Sequence, residues 1–344
     1  MYTAEYEGIN SLLVGVSKNL LENGVTRNVR GFECVEFPEP VILKIRNPSA
    51  RLITIPERKW NPFLPYAESL WLASGRNDLN FIKHYLARLS EFSDDGEYVR
   101  GGYGPRLRNF SGNSNDYKIN KKESNLSLLQ GENKTVDQFL YIEKCFQKDV
   151  FNRQATITIG DPAKDTLDQY NDLKTTKDLP CTRLIQLMCT PERKLDMTVY
   201  MRSNDLIWGA SGVNIFNFTF IQEYFAGILG LEIGSYYHIA NNLHYYKERH
   251  QELIERLAIR APQDKSYIYN KTFKSLQDFD KLVLDISNYE NSLRTGKINA
   301  PPNFKDEFIN DWASIFYKKF VGQKAVKFIN PILNKIFSND LISS

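Results

Sequence analysis

The chain predicts an α/β (α+β) fold, with paired strands in the middle of the sequence, helices around them and a mainly helical final stretch. Three observations carry this. Ala155-Thr156-Ile157-Thr158-Ile159 alternates as a strand does, and Leu184 to Cys189 and Leu195 to Met201 read as two more strands around a charged turn at Pro191-Glu192-Arg193. Ile9, Leu12, Leu13, Val16 and Leu20 recur at helical spacing, as do Phe220, Ile221, Tyr224, Phe225 and Ile228. Beyond His250 the pattern is mainly helical to the end. At 344 residues the chain accommodates one large domain, or a domain plus an extension.

Taken in order, the first helix spans residues 6 to 23, and Asn23-Gly24 ends it. Residues 32 to 46 read as extended, interrupted by Pro38 and Pro40. A helix from Pro65 to Ala73 carries Glu68 on one face. Residues 111 to 134 are rich in Ser, Asn, Lys and Gly and read as a polar insertion. Val136 to Lys144 is helical again. Residues 216 to 229 form a buried helix ending near Gly230, and their aromatic stripe reads as core. These elements divide the chain into a catalytic region, 1–250, and a helical extension, 251–344.

Composition narrows the function. A hydrophobic content of 42% with 13% aromatics supplies a globular core. The 44 basic residues nearly balance the 41 acidic ones, so no nucleic-acid partner is expected. There is no apolar run of the roughly 18 residues a membrane span needs. Met1 to Gly8 is polar and unlike a secretory signal. The four cysteines, Cys34, Cys145, Cys181 and Cys189, lack metal-ligand spacing. The expectation is a cytoplasmic protein with reduced thiols and no metal.

The chemistry gathers at Leu179-Pro180-Cys181-Thr182 and Arg202-Ser203-Asn204-Asp205. A guanidinium beside a cysteine lowers the thiol's pKa and holds an anion, which suits a nucleophile. The two segments resemble the thymidylate synthase family, whose pattern is Pro-Cys, a Gln, a strand hairpin and Arg-Ser-x-Asp. Here these are Pro180-Cys181, Gln186, the 191–193 turn and Arg202-Ser203-Asn204-Asp205. Glu68-Ser69-Leu70-Trp71 with Gly75, Gly102-Tyr103-Gly104, Asn214 beyond Gly209, and His244 with Tyr246 continue the match in order, over residues 60 to 250.

The resemblance implies a large mixed sheet flanked by helices, dimerising through the sheet. It implies a reaction in which a thiolate adds to carbon 6 of a uracil ring, so that carbon 5 attacks a one-carbon unit from 5,10-methylenetetrahydrofolate. Cys181 is then the nucleophile and Glu68 the proton relay, while Tyr103 helps remove the carbon 5 proton. Arg202 and Ser203 hold the nucleotide phosphate. Gln186 belongs to the nucleotide site, and Arg153 is lent across a homodimer interface, with Gln154 where the family has a second arginine. Arg30 is a further phosphate ligand, with Arg27 its alternative. Asn214 reads the uracil edge, with Asn217 as backup. His244 and Tyr246 hold the sugar 3'-hydroxyl, and Asp205 bonds the pterin. Cys34, Cys145 and Cys189 stay structural.

The departures bear on the product. Thr182 follows the nucleophile where many synthases have His, and Asp178 stands where they have Leu, against the reacting carbon. Ala210-Ser211-Gly212-Val213 replaces a three-residue Leu-Pro-Phe. The chain ends Leu341-Ile342-Ser343-Ser344, not in the apolar tail that closes over folate. The expectation is one-carbon transfer to dUMP with methylation as the family default. Hydroxymethylation, in which water captures the methylene, stands beside it, and a noncatalytic nucleotide- or RNA-binding relative is the rival of another class.

Overall fold

A computed structural model of the chain describes residues 1–110, 117, 135–322 and 326–338. The predicted insertion 111–134, apart from Tyr117, and the terminal Leu341 to Ser344 lie outside the described residues.

Chain order is as follows. Strand β1 (Tyr2–Tyr6) leads to α1 (Ile9–Asn23), whose apolar stripe is buried from Ile9 to Leu20. The hairpin β2 (Val25–Val29) and β3 (Phe32–Glu36) is followed by β4 (Val41–Ile45). Helix α2 (Phe63–Ala73) carries Glu68, and the short α3 (Leu79–Ile82) is capped by Asp78. Tyr103 opens α4 (Tyr103–Arg108), and Asp137 caps α5 (Gln138–Lys148). After β5 (Thr156–Thr158) and α6 (Pro162–Asp165) come the long hairpin strands β6 (Thr182–Cys189) and β7 (Lys194–Met201). Strand β8 (Asn204–Asp205) enters a π-helix, Leu206–Asn214, which runs into α7 (Ile215–Leu229). Strands β9 (Glu232–Ala240) and β10 (Leu243–Tyr246) precede α8 (Lys247–Ala258), α9 (Leu276–Arg294), α10 (Glu307–Val321) and α11 (Pro331–Ser338).

The predicted mixed sheet is present as six strands in the order β1-β4-β9-β7-β6-β5, with β1–β4 and β7–β9 parallel and the other pairs antiparallel. A second sheet, β2-β3-β10-β8, is not foreseen from the sequence. Its strands are short, and β8 has only two residues, too few for a period to show. It matters because it carries Asp205 and His244 side by side, paired in register.

Helix α7 is buried on nearly every side, from Ile215 to Ile228, and ends at Gly230 in the left-handed region (φ 64°) that favours glycine. It packs between the six-stranded sheet and the C-terminal helices. Phe220 meets Phe308 at 4.5 Å and Trp312 at 4.8 Å between ring centroids. Trp312 is fully buried and donates its indole N–H to the Tyr66 carbonyl at 2.9 Å. One hydrophobic core thus includes residues from α1 to α11, so α10 shares its packing with the helix that carries Glu68. Deleting the Trp312 ring should lower the unfolding free energy by about 3–5 kcal/mol. A urea titration of Trp312→Ala followed by far-UV circular dichroism checks this, and a wild-type midpoint would mean that α10 is an appendage to the core.

Candidate active site

The turn before β6 presents Cys181, and Arg202 fixes that turn. Its backbone N–H donates to the Cys181 carbonyl at 2.9 Å. Its guanidinium donates from Nε to the Pro180 carbonyl (3.1 Å) and from Nη2 to the Leu179 carbonyl (3.0 Å). Of the four cysteines Cys181 alone is partly exposed, and all four are free thiols. The sequence leads one to expect a lowered thiol pKa, but it is raised. Burial pushes it up and Asp178 adds to this, outweighing Arg202, Arg183 and Arg30, which pull it down.

Tyr103 closes one side. Its hydroxyl accepts the Thr182 N–H at 3.2 Å, and its ring stacks on Phe218 of α7 at 6.3 Å. Asp178 accepts the Gly101 N–H at 2.8 Å, and a Cβ at 101 would lie 2.5 Å from the carboxylate, so a side chain there would displace it. Burial raises the Asp178 pKa, against the pull of the Gly101 hydrogen bond and of Arg106. Its charge is felt by both Cys181 and Tyr103.

Glu68 faces α7. Burial raises its pKa to about 7, held down in part by a hydrogen bond from Asn217. Asn217 is buried and also accepts the Ser69 hydroxyl at 2.8 Å. The backup base reader therefore already serves as the partner of Glu68. Asn214 lies one turn earlier, and its amide reaches the Met201 sulfur at 3.6 Å. A π-helix stands where the resemblance counts one extra residue between Gly209 and Asn214, and in it the Ile215 N–H bonds back to the Ala210 carbonyl, five residues earlier. Arg58 donates to the Ile207 carbonyl (2.6 Å) and Trp60 to the Gly212 carbonyl (3.0 Å), satisfying groups of this widened turn.

Asp205 caps the π-helix through the Trp208 N–H, and its other oxygen, Oδ2, is buried without a partner. Burial raises its pKa to about 6, opposed by the N–H groups of residues 207 to 209 and by Arg58. Ser203 and His244 both bond Asn242, and Tyr246 packs edge-on to His244 at 5.3 Å. Arg30 occupies a left-handed turn position (φ 53°) beside Gly31, within electrostatic reach of Cys181 and Tyr246. Arg27, the alternative, pairs with Glu36 at 2.8 Å. The Gln186 side-chain amide donates to the Arg153 backbone carbonyl at 3.4 Å. Sequence reading missed Asn242, Glu36, Gly101 and Arg58. Asn242 alone left a trace, standing two residues before His244.

A partly exposed thiol with the Asp178 carboxylate and the Tyr103 hydroxyl near it suits covalent group transfer. The chain belongs to the thymidylate synthase family, which it matches over residues 16–301. The match continues past residue 250 and takes in α8 and α9. Relatives include three proteins named deoxyuridylate hydroxymethyltransferase. That of Bacillus phage SP01 is 31% identical over 82% of this chain and 68% of its own length. That of Pseudomonas phage M6 is 34% identical over 65% of this chain and 56% of its own. The Delftia phage PhiW-14 protein is 32% identical over 61% and 53%. The chain thus spans little more than half the length of the last two. As a family member it is an enzyme that transfers a one-carbon unit to carbon 5 of a pyrimidine nucleotide.

Removing the Asn217 amide removes the bond that lowers the Glu68 pKa. In Asn217→Ala the Glu68 carboxyl should therefore titrate above 7, read by carbon-13 NMR of labelled glutamate side chains across pH 5 to about 9. A downward or absent shift would show that Asn217 does not stabilise the ionised form.

Proposed function

We propose that the chain transfers a one-carbon unit to carbon 5 of dUMP and delivers it as a hydroxymethyl group. The observation that carries this is the Asp178 carboxylate, held by the Gly101 N–H beside Cys181 and Tyr103, where the resemblance expects an apolar residue. Methylation needs hydride delivered in a dry site, whereas hydroxymethylation needs water at the same carbon. A carboxylate there favours water. The names of the phage relatives favour the same product.

In this reading Cys181 adds to carbon 6 and carbon 5 becomes nucleophilic. The raised thiol pKa makes proton removal part of the work, and Glu68, with a pKa of about 7, can both accept and return protons through water. Methylenetetrahydrofolate, when bound, supplies the electrophilic one-carbon unit. Asp205 suits its pterin, because the buried Oδ2 lacks a donor and a pterin edge offers N–H groups. Tyr103 helps take the carbon 5 proton as the bond between the transferred carbon and the folate nitrogen breaks, so that tetrahydrofolate departs and an exocyclic methylene is left on the ring. Asp178 then accepts a proton from water as the water oxygen bonds to that methylene. The double bond moves back into the ring, and the carbon 6–sulfur bond breaks to return the Cys181 thiolate.

Arg202, Ser203 and Arg30 hold the phosphate, Asn214 pairs with the uracil edge, and His244 with Tyr246 holds the sugar. A homodimer through the outer face of the six-stranded sheet, where Leu184 and Met188 are exposed, would bring Arg153 and Gln186 to the neighbouring site. The four free thiols suit a cytoplasmic setting.

Two measurements test this. 5-Fluoro-dUMP with methylenetetrahydrofolate should leave a covalent adduct on Cys181 that Cys181→Ala abolishes. Peptide mapping that finds the label on Cys145 or Cys189 would move the nucleophile. With dUMP itself, the expected products are 5-hydroxymethyl-dUMP and tetrahydrofolate, identified by product mass and by the absence of dihydrofolate absorbance. Asp178→Leu should slow hydroxymethyl formation by about a hundredfold or more, the usual weight of a general base. A methyl product formed with stoichiometric dihydrofolate would overturn the proposed chemistry.

A further inference from the structure

Two residues of the proposed nucleotide site end on a third that the sequence reading passes over. The Oδ1 of Asn242 accepts the Ser203 hydroxyl at 3.2 Å and lies 2.7 Å from His244 Nδ1. Its Nδ2 donates to Glu36 Oε2 at 2.6 Å. Glu36 is 3% exposed, and its other oxygen takes the Arg27 guanidinium at 2.8 Å. The register of β3 on β10 sets Glu36 opposite His244.

These contacts leave little freedom. An ionised carboxylate only accepts hydrogen bonds, so the Asn242 amide must turn its nitrogen to Glu36 and its oxygen to Ser203 and His244. An amide oxygen also only accepts, so His244 Nδ1 must carry a proton. Burial lowers the His244 pKa, against the opposite pull of Glu36, and this favours the neutral ring. A neutral imidazole protonated at Nδ1 has a bare Nε2, which is an acceptor. That Nε2 has no hydrogen-bond partner among the described residues.

We infer that Asn242, oriented by Glu36, is a positioning residue that fixes His244 as a hydrogen-bond acceptor and so selects nucleotides with a free 3'-hydroxyl. This rests on the reading of His244 as a sugar ligand. A 3'-oxygen esterified to phosphate has no proton to give, so a nucleotide within a polymer offers this acceptor nothing. Ser203 is poised by the same amide, and it can turn its proton from Asn242 to an incoming phosphate without leaving that oxygen bare, because His244 still donates to it.

Nitrogen-15 NMR of the nucleotide-free full chain reads the tautomer directly, the His244 signals being assigned by their loss in His244→Gln. The proton is expected on Nδ1, and a proton on Nε2 overturns the relay whatever the enzyme catalyses. Calorimetry then compares dUMP, 2',3'-dideoxyuridine 5'-monophosphate and deoxyuridine 3',5'-bisphosphate. The wild type should bind dUMP about tenfold more tightly than the dideoxy compound, the weight of one hydrogen bond, and the bisphosphate more weakly still. Asn242→Leu should bring the first ratio close to one and release the tautomer. An unchanged ratio in that variant overturns the inference. Because Asn242→Leu also strips Glu36 of a donor and can unfold the sheet, the paired variant E36Q/N242D serves as the rescue. It exchanges the acid and the amide while keeping every hydrogen bond, and it should retain both tautomer and ratio. A folded E36Q/N242D protein without the preference overturns the relay. A wild type with the Nδ1 proton that binds none of the three nucleotides instead overturns the sugar-binding role and the one-carbon transfer reading with it.

Discussion

The placement of α7 is the constraint on which the site depends. A helix buried on nearly all sides cannot slide or rotate without opening voids on the sheet and on the C-terminal helices at once. Its N-cap residue Asn214 and its first-turn residues Asn217 and Phe218 address Met201, Glu68 and Tyr103. Three chemical groups from three separate parts of the chain are thus referred to one rigid element. The buried Arg51–Glu223–Lys271 set fixes the same helix from another side. Glu223 has cations on both its oxygens, which a carboxylate at that depth requires.

The π-helix follows from this rigidity. One extra residue, as the resemblance counts it, ahead of an immovable helix has three outlets: rotating α7, bulging outward, or widening a turn. Rotation would carry Asn214 and Asn217 off the site face. The chain widens the turn, and the carbonyls of Ile207 and Gly212 find Arg58 and Trp60. Asp205 caps the start of the widened segment and keeps one oxygen free, so the distortion also shapes the acceptor proposed for the pterin.

Much of the fold was legible in the sequence because its signals are periodic. The α1 and α7 stripes and the alternation in β6 and β7 follow from one buried face or from full burial. The small sheet was not legible, since β8 is two residues long and β10 four, and pairing between residues 36 and 244 leaves no local trace. For the candidate site, short motifs pointed to Cys181, Arg202, Asn214 and His244, while the residues that touch them in the structure stayed hidden. Glu36 reads as an ordinary strand glutamate and Asn242 as a turn residue. Their link depends on tertiary pairing. The sign of the Cys181 shift was also beyond the sequence, because Arg202 is visible there and burial is not.

That sign has a chemical consequence. A depressed thiol pKa would give a standing thiolate of reduced nucleophilicity, whereas a raised one gives few thiolates of greater intrinsic strength. Such a thiol reacts when its proton has somewhere to go at the moment of addition. The site keeps Glu68 near pKa 7 and holds Asp178 and Asp205 above their ordinary values by the same means, burial. Three desolvated carboxyls with depressed pKa values would be fixed charges that oppose an anionic nucleotide. With values of about 7 and about 6, Glu68 and Asp205 can carry protons near neutrality, which lessens that repulsion and supplies the reservoir that the proposed addition and elimination cycle consumes and restores. The exposed Arg202 and Arg30 stand where the proposed function puts the phosphate, so that reading divides the site into a cationic rim that binds and a buried interior that exchanges protons.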